Sequence, residues 1–225
     1  MTLAITGASG KTGWRVVDEA LKRGLSVRAI VRPGSVLPAQ LEGRDQLTVV
    51  RTELGNGAAL QQALQGCEAL VIATGARPSV DLAGPLKVDA LAIRDQITAC
   101  KGAGVSRVVL VSSLCAGRWL HPLNLFGLIL VWKRLGERWL EQSGLAWTIV
   151  RPGGLSEDES RADGEGIVYS GADQQESNSI PRRLVARVCL DALESEAAVN
   201  RLVEITSSPQ QPQQPLGQWL AQASA

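Results

Sequence analysis

The sequence predicts a single-domain α/β protein with a doubly wound parallel sheet, and three observations carry this prediction. The chain opens on a short apolar strand, a glycine-rich turn and an amphipathic helix, all within residues 3–24. Strands and helices then alternate at the pace that parallel βαβ units require. The run Ala69–Ala73 is uninterrupted in its apolar character, as expected of a central strand buried on both faces.

The predicted elements follow one another along nearly the whole chain. The first strand begins at Thr2, and further strands are expected over residues 26–32, 47–54, 69–73, 105–113, 146–152 and 201–205. The helices after the first are expected over residues 58–65, 89–101, 126–143 and 181–193. In the helix at 126–143, the apolar side is expected to carry Val131, Trp132, Leu135 and Trp139, and the charged residues are expected on the opposite side.

Two stretches differ from this pattern. Residues 156–180 are acidic and poor in apolar side chains, which indicates either a mobile flap over a site or a surface excursion. Residues 207–225 begin as a Pro/Gln-rich tether and end in a short helix that docks Trp219. We therefore expect one domain over residues 1–206, including the flap, and a small C-terminal substrate-side region over residues 207–225.

Composition narrows the class of protein. With 225 residues, 45% of them apolar, the chain can bury the core of one large domain. A net charge of +1 argues against a nucleic-acid partner, and no apolar run reaches the length of a membrane span. The strand at Thr2 leaves no room for a targeting peptide, so a cytoplasmic location is expected. Four scattered cysteines predict buried free thiols in a reducing compartment, not a metal site or disulfides: Cys67, Cys100, Cys115 and Cys189.

The glycine-rich turn predicts a dinucleotide site. Gly7 permits a tight turn, Gly10 lets the backbone approach phosphates, and Gly13 lets the helix pack close to the strand. The free N–H groups and the positive end of the helix then face the anion. Additional side-chain donors between the glycines are Ser9, Lys11 and Thr12. The alternative is a purely structural turn.

The second predicted strand ends at Arg32, where the adenosine ribose lies in a dinucleotide fold. An acidic residue at this position would bind the 2′-hydroxyl of NAD. A guanidinium suits a 2′-phosphate instead, so NADP(H) is the predicted cofactor. The alternative is a solvated arginine at the end of a strand.

Other strand ends are expected to contribute to the same site. Glu53 and Leu54 fall where a side-chain acceptor and a backbone group can meet adenine. The small residues after the central strand let the cofactor pass overhead, and these are Thr74, Gly75 and Ala76.

With these residues laid out, the chain resembles the atypical short-chain dehydrogenase/reductase family, in its NAD(P)H-binding, NmrA-like branch, and within it the plant and cyanobacterial NADP-binding proteins. The resemblance rests on TGASGKTG at 6–13, Val31-Arg32, ALQGCEAL at 63–70, GVSRVVLVSS at 104–113, HPLN at 121–124, ILVWKR at 129–134 and SGLAWTIVRPGG at 143–154. It implies a Rossmann fold with NADP(H) as cofactor.

The resemblance also implies a catalytic set, with one departure. Ser113 matches the family's serine, and Lys133 matches the lysine that holds the nicotinamide ribose. The tyrosine that moves the proton is replaced by Ile129, which cannot do so. A backbone wall beside the nicotinamide is expected from Pro152, Gly153, Gly154 and Leu155. His121, the chain's one histidine, is either a proton donor or a structural loop residue.

The sequence is compatible with three functions. Family members without the tyrosine include flavin and biliverdin reductases, which implies hydride transfer from NADPH to a conjugated small-molecule acceptor. The alternatives are a non-catalytic NADP(H) sensor read by a protein partner, and an assembly scaffold in which Trp119 and Trp219 belong to an interface. The oligomeric state stays open.

Overall fold

The computed structural model describes residues 1–76, 83–118, 120–125 and 127–223. The strands are β1 Thr2–Thr6, β2 Ser26–Val31, β3 Leu47–Arg51, β4 Ala69–Ile72, β5 Arg107–Val111, β6 Ala146–Pro152, β7 Gly154–Ser156, β8 Gly166–Ser170, β9 Ser179–Pro181 and β10 Arg201–Ser208. The α-helices are α1 Gly13–Lys22, α2 Gly57–Leu64, α3 Ala92–Ala103, α4 Ile129–Glu141, α5 Arg161–Gly164, α6 Arg182–Glu194 and α7 Leu216–Ala223. A π-helical stretch, Leu86–Leu91, leads into α3.

Within these residues the main sheet has eight strands in the order β3-β2-β1-β4-β5-β6-β10-β8. Neighbouring strands are parallel except for β8, which pairs antiparallel with β10. A second, two-stranded sheet joins β7 to β9. Helices α1 and α6 pack together, as do α2 with α3 and α3 with α4. The predicted doubly wound Rossmann fold is therefore confirmed.

The core divides into two layers because successive strand residues point to opposite faces. Leu3 and Ile5 join the cluster under α1 and α6, whereas Ala4, between them, joins the cluster under α2 and α3. All four cysteines are buried and unpaired, and burial raises the pKa of the Cys100 and Cys189 thiols to about 12. In the part of the chain described above, no helix is long and apolar enough to cross a bilayer.

The stretch at 156–180 differs from the flap that its composition suggests. Its middle forms β8, which puts Ile167 and Tyr169 into the main core. The strand was missed because the stretch around its five residues is polar and its partner, β10, lies far along the chain. The Tyr169 hydroxyl donates to the Gln214 carbonyl at 3.0 Å, and its ring stacks on Trp219 with centroids 5.4 Å apart. Trp219 is thus engaged within the chain, and Trp119 lies outside the described residues.

The observed bounds of two elements also differ from the predicted ones. Strand β10 continues to Ser208, so the first two residues of the expected tether belong to the sheet. Helix α4 begins at Ile129, three residues later than predicted, and Phe126 is not among the described residues. Its buried side is also different, because Val131, Trp132, Leu135 and Trp139 are half-buried, whereas the buried residues are Ile129, Leu130, Gly136, Glu137 and Leu140.

Candidate functional site

The candidate site lies at the carboxyl ends of β1 and β4, where the strand order changes direction. The segments that follow these two strands run to opposite faces of the sheet, which opens a crevice between the two segments. The glycine turn follows β1, and residues 74–76 follow β4. A Cβ added to Gly7 would lie 2.7 Å from the Ala73 carbonyl oxygen, so the turn rests directly on the end of β4.

The glycine turn has the shape that a pyrophosphate requires. Gly7 has φ +70°, and its carbonyl accepts a 2.8 Å hydrogen bond from the Gly10 N–H. A Cβ on Gly13 would lie 2.1 Å from that same carbonyl oxygen, so only glycine allows α1 to start this close to the strand. The backbone N–H groups of Lys11, Thr12 and Gly13 donate to no other described residue. They remain free for an anion at the helix N-terminus.

Side chains beside this turn are engaged with the second half of the chain. The Lys11 ammonium pairs with the Glu157 carboxylate, and this hydrogen bond lowers the pKa of Glu157. The Thr12 hydroxyl accepts from Arg182 Nη1 at 2.9 Å. Ser9 is half-buried in the turn. Sequence reasoning missed Arg182, which lies 170 residues from Thr12 and carries no local signal of this contact.

The adenosine end of the crevice carries the residues expected there. Arg32 follows β2, is exposed, and forms no ion pair with any residue that the structure describes. Strand β3 is shorter than predicted, so Glu53 and Leu54 lie just beyond it, the first exposed and the second half-buried. A free guanidinium at the end of β2 suits a phosphate.

The other end of the crevice is a small cavity over β4 and β5. Lys133 Nζ donates to Asp89 Oδ1 at 2.8 Å, and the Ala76 N–H donates to Asp89 Oδ2 at 3.2 Å. The Thr74 hydroxyl is buried and has no hydrogen-bond partner among the described residues. The cavity is lined by Thr74, Asp89, Ile93, Leu110, Val111, Ser112 and Lys133.

The chain turns beside this cavity at the end of β6. A Cβ on Gly153 would lie 2.3 Å from the Asn178 carbonyl oxygen, and the Gly154 N–H donates to that oxygen at 2.8 Å. Pro152 ends β6 and Leu155 is partly exposed in β7. The predicted backbone wall of residues 152–155 is thus pressed against residue 178, at the carboxyl edge of the sheet.

The predicted catalytic residues are not all brought together. Ser112, not Ser113, lines the cavity, and its hydroxyl donates to Glu137 Oε1 at 2.6 Å. Ser113 is half-buried next to it. His121 Nδ1 accepts from the Leu123 N–H at 3.2 Å, a local bond that shapes the loop before α4. Ile129 lies in an apolar cluster with Leu114, Cys115 and Leu130, against which Ala76 packs.

A buried network of charged side chains contacts the cavity through Ser112, one of its lining residues. Arg151, 2% exposed in its side chain, binds both oxygens of Glu137, with Nε–Oε1 at 2.9 Å and Nη2–Oε2 at 2.7 Å. It also contacts Glu204 at 3.5 Å, and Glu204 accepts backbone hydrogen bonds from residues 173–175. Glu137 receives the Ser112 hydroxyl, so the network joins α4, β6, β10 and the cavity. Sequence reasoning had expected charged residues of α4 to face solvent.

These features fit a dinucleotide. The glycine cradle and free N–H groups suit a pyrophosphate, Arg32 suits a phosphate on the adenosine ribose, and Lys133 with the orphaned Thr74 hydroxyl suits the hydroxyls of the second ribose. The backbone at Gly75 borders the lysine directly, because a Cβ there would stand 3.6 Å from Lys133 Nζ.

Comparisons with known proteins agree with this geometry. Residues 7–196 match the NAD(P)H-binding family model. An uncharacterised chloroplastic protein of Arabidopsis thaliana is 36% identical over 219 residues, covering 92% of this chain and 77% of its own length. Sanguinarine reductase of Eschscholzia californica is 29% identical, covering 93% of this chain and 90% of its own. A solved structure of a putative NAD-dependent epimerase/dehydratase from Bacillus halodurans has a TM-score of 0.85 and 26% identity, with 99% of both chains covered.

Proposed function

Since this chain belongs to the NAD(P)H-binding family of atypical short-chain reductases, we propose that it is an NADPH-dependent reductase acting on a conjugated, electron-poor acceptor such as a flavin, a quinone or a linear tetrapyrrole. The proposal is carried by Ile129, which the family resemblance places at the position of the usual proton donor and which lies in an apolar cluster with Leu114 and Cys115. A carbonyl reduced to an alcohol needs a positioned acid there. A conjugated ring spreads the arriving charge and needs less proton donation.

The residues of the site have roles that suit this reaction. NADPH, when bound, supplies the hydride. The glycine turn and Lys133 hold its two halves, so the chain's task is mainly to align it with the acceptor. Ser113 offers a hydroxyl donor at the end of β5, whereas the Ser112 hydroxyl already donates to Glu137. Sanguinarine reductase, a relative, is a reductase by its name.

The experiment is to mix the purified protein with NADPH and, separately, a flavin, a quinone and a linear tetrapyrrole, and to follow NADPH absorbance. We expect consumption with at least one of the three, which Lys133→Ala slows. Binding of NADPH without consumption in all three would favour the alternative, a non-catalytic NADP(H) sensor. Absence of NADPH binding would contradict both functions.

Preference for NADPH over NADH is expected to depend on Arg32. Removing a charge-assisted contact to the 2′-phosphate costs about 1.5–3 kcal/mol, so Arg32→Ala should weaken NADPH binding on the order of 10- to 100-fold. NADH lacks that phosphate, and its affinity should change less than about threefold. Titrations of tryptophan fluorescence with each dinucleotide measure both affinities.

Arg201→Ala is the matched control, because Arg201 is also exposed but lies at the amino end of β10, whereas the crevice lies at the carboxyl ends of the parallel strands. It removes the same net charge, so any general electrostatic effect appears in both variants. Equal losses of NADPH and NADH in Arg32→Ala would contradict the 2′-phosphate assignment.

A further inference from the structure

Asp89 connects two parts of the site that the chain keeps far apart. Its carboxylate is 2% exposed and binds Lys133 Nζ of α4 through Oδ1, at 2.8 Å. Its Oδ2 accepts the Ala76 N–H, at 3.2 Å, from the segment that follows β4. One buried side chain therefore fixes the lysine relative to the crevice.

The local backbone brings this carboxylate into place. Asp89 lies within the π-helical stretch Leu86–Leu91, and such widened turns are frequently found at functional sites. Gly136 lies almost one turn after Lys133, and a Cβ there would be 2.4 Å from the Asp89 carbonyl oxygen. Glycine at 136 thus lets α4 come close enough for Lys133 to meet Asp89.

The pair leaves the lysine available to a ligand. An ammonium group has three N–H donors, and Asp89 Oδ1 takes one of them. A Cβ on Gly75 would stand 3.6 Å from Lys133 Nζ and 3.8 Å from Asp89 Oδ1, so the pair lies directly beside the backbone that follows β4. Thr74, whose buried hydroxyl has no hydrogen-bond partner among the described residues, lines the same cavity.

We propose that Asp89 is the positioning residue for Lys133, directing the remaining N–H donors of the ammonium at the hydroxyls of the nicotinamide ribose. This inference rests on the proposed function, because it needs a dinucleotide in the crevice. The proposed role of Asp89 concerns only the nicotinamide half of the cofactor. The adenosine half is held by the glycine turn and Arg32, which Asp89 does not touch.

The test compares a whole cofactor with a fragment of it. Adenosine 2′,5′-bisphosphate carries the adenosine half and has no nicotinamide ribose. Calorimetric titrations with NADPH and with the fragment would be run on wild type, Asp89→Asn, Lys133→Ala and the double variant. We expect Asp89→Asn to weaken NADPH about tenfold and the fragment less than about twofold. The double variant should bind NADPH no more weakly than Lys133→Ala, because Asp89 acts through the lysine.

Other outcomes would overturn the inference. Unchanged NADPH affinity in Asp89→Asn, or parallel losses of NADPH and the fragment, would leave Asp89 with a structural role only. If Asp89→Asn does not fold, Asp89→Glu keeps the charge and displaces the carboxylate by one methylene, and the same selective loss of NADPH is expected. A wild-type protein that binds no NADPH would overturn the proposed function itself, which separates the two failures.

Discussion

Alanine in place of Gly13 is expected to weaken NADPH binding on the order of 100-fold or more. The added Cβ would lie 2.1 Å from the Gly7 carbonyl oxygen, 2.7 Å from its carbon and 3.0 Å from Ala8 Cα. All three are backbone atoms, so the turn or the start of α1 must move as a whole. Gly7 cannot simply retreat, because it already lies against the Ala73 carbonyl. The free N–H groups at the helix start would then no longer converge on one anion.

The size of this effect follows from the number of donors displaced. A hydrogen bond to a charged group contributes about 1.5–3 kcal/mol, so losing two of them weakens binding on the order of 100-fold or more. Titration with NADPH, checked by circular dichroism for folding, measures it. Gly57→Ala is the control, because it begins α2 and its added Cβ meets nothing within 4 Å. Wild-type affinity in Gly13→Ala would show that the turn does not hold the pyrophosphate.

The parts of the fold that the sequence predicted are those set by local pattern. Strand β6 was predicted with its observed bounds, because its apolar run is closed by the Pro-Gly-Gly at 152–154. The glycine turn and β4 were also predicted from local sequence. Three spaced glycines after a strand indicate a dinucleotide-binding turn, and an uninterrupted apolar run indicates a central strand. Strand β8 was not, because its five residues are stabilised by β10, some 35 residues further along.

The parts of the site that were missed are set by distant partners. Glu137 is fully buried on a helix whose charged residues were expected to face water, because Arg151 of β6 neutralises it. Asp89 was predicted only as the start of a helix, and its role depends on Lys133, 44 residues away. A rule that charged residues face solvent fails where two elements supply opposite charges to one buried point.

Arg151→Met is expected to be the most destabilising single substitution at this network. Removing one partner of a buried ion pair costs about 3–5 kcal/mol, because the remaining charge stays buried without compensation. Here two carboxylates, Glu137 and Glu204, are both fully buried around the guanidinium, and without it Glu137 keeps only the longer contact with Arg134, at 3.2 Å. The substitution weakens the contacts that join β6, β10 and α4. The cofactor cavity next to these elements is therefore expected to be disrupted as they separate. Urea unfolding measures the free energy of unfolding.

A double variant separates lost charge from lost packing. Glu137→Gln removes one of the two buried negative charges that Arg151→Met leaves behind, and its amide oxygen still accepts from the Ser112 hydroxyl. If uncompensated charge is the cause, Arg151→Met combined with Glu137→Gln should lose less stability than the two single variants added together, by about 0.5–3 kcal/mol. Arg201→Met, at an exposed position, should stay within about 0.5 kcal/mol of wild type. Strict additivity would mean that Arg151 stabilises the sheet through its packing, and that the buried carboxylates are compensated by Arg134 and by their backbone and hydroxyl donors.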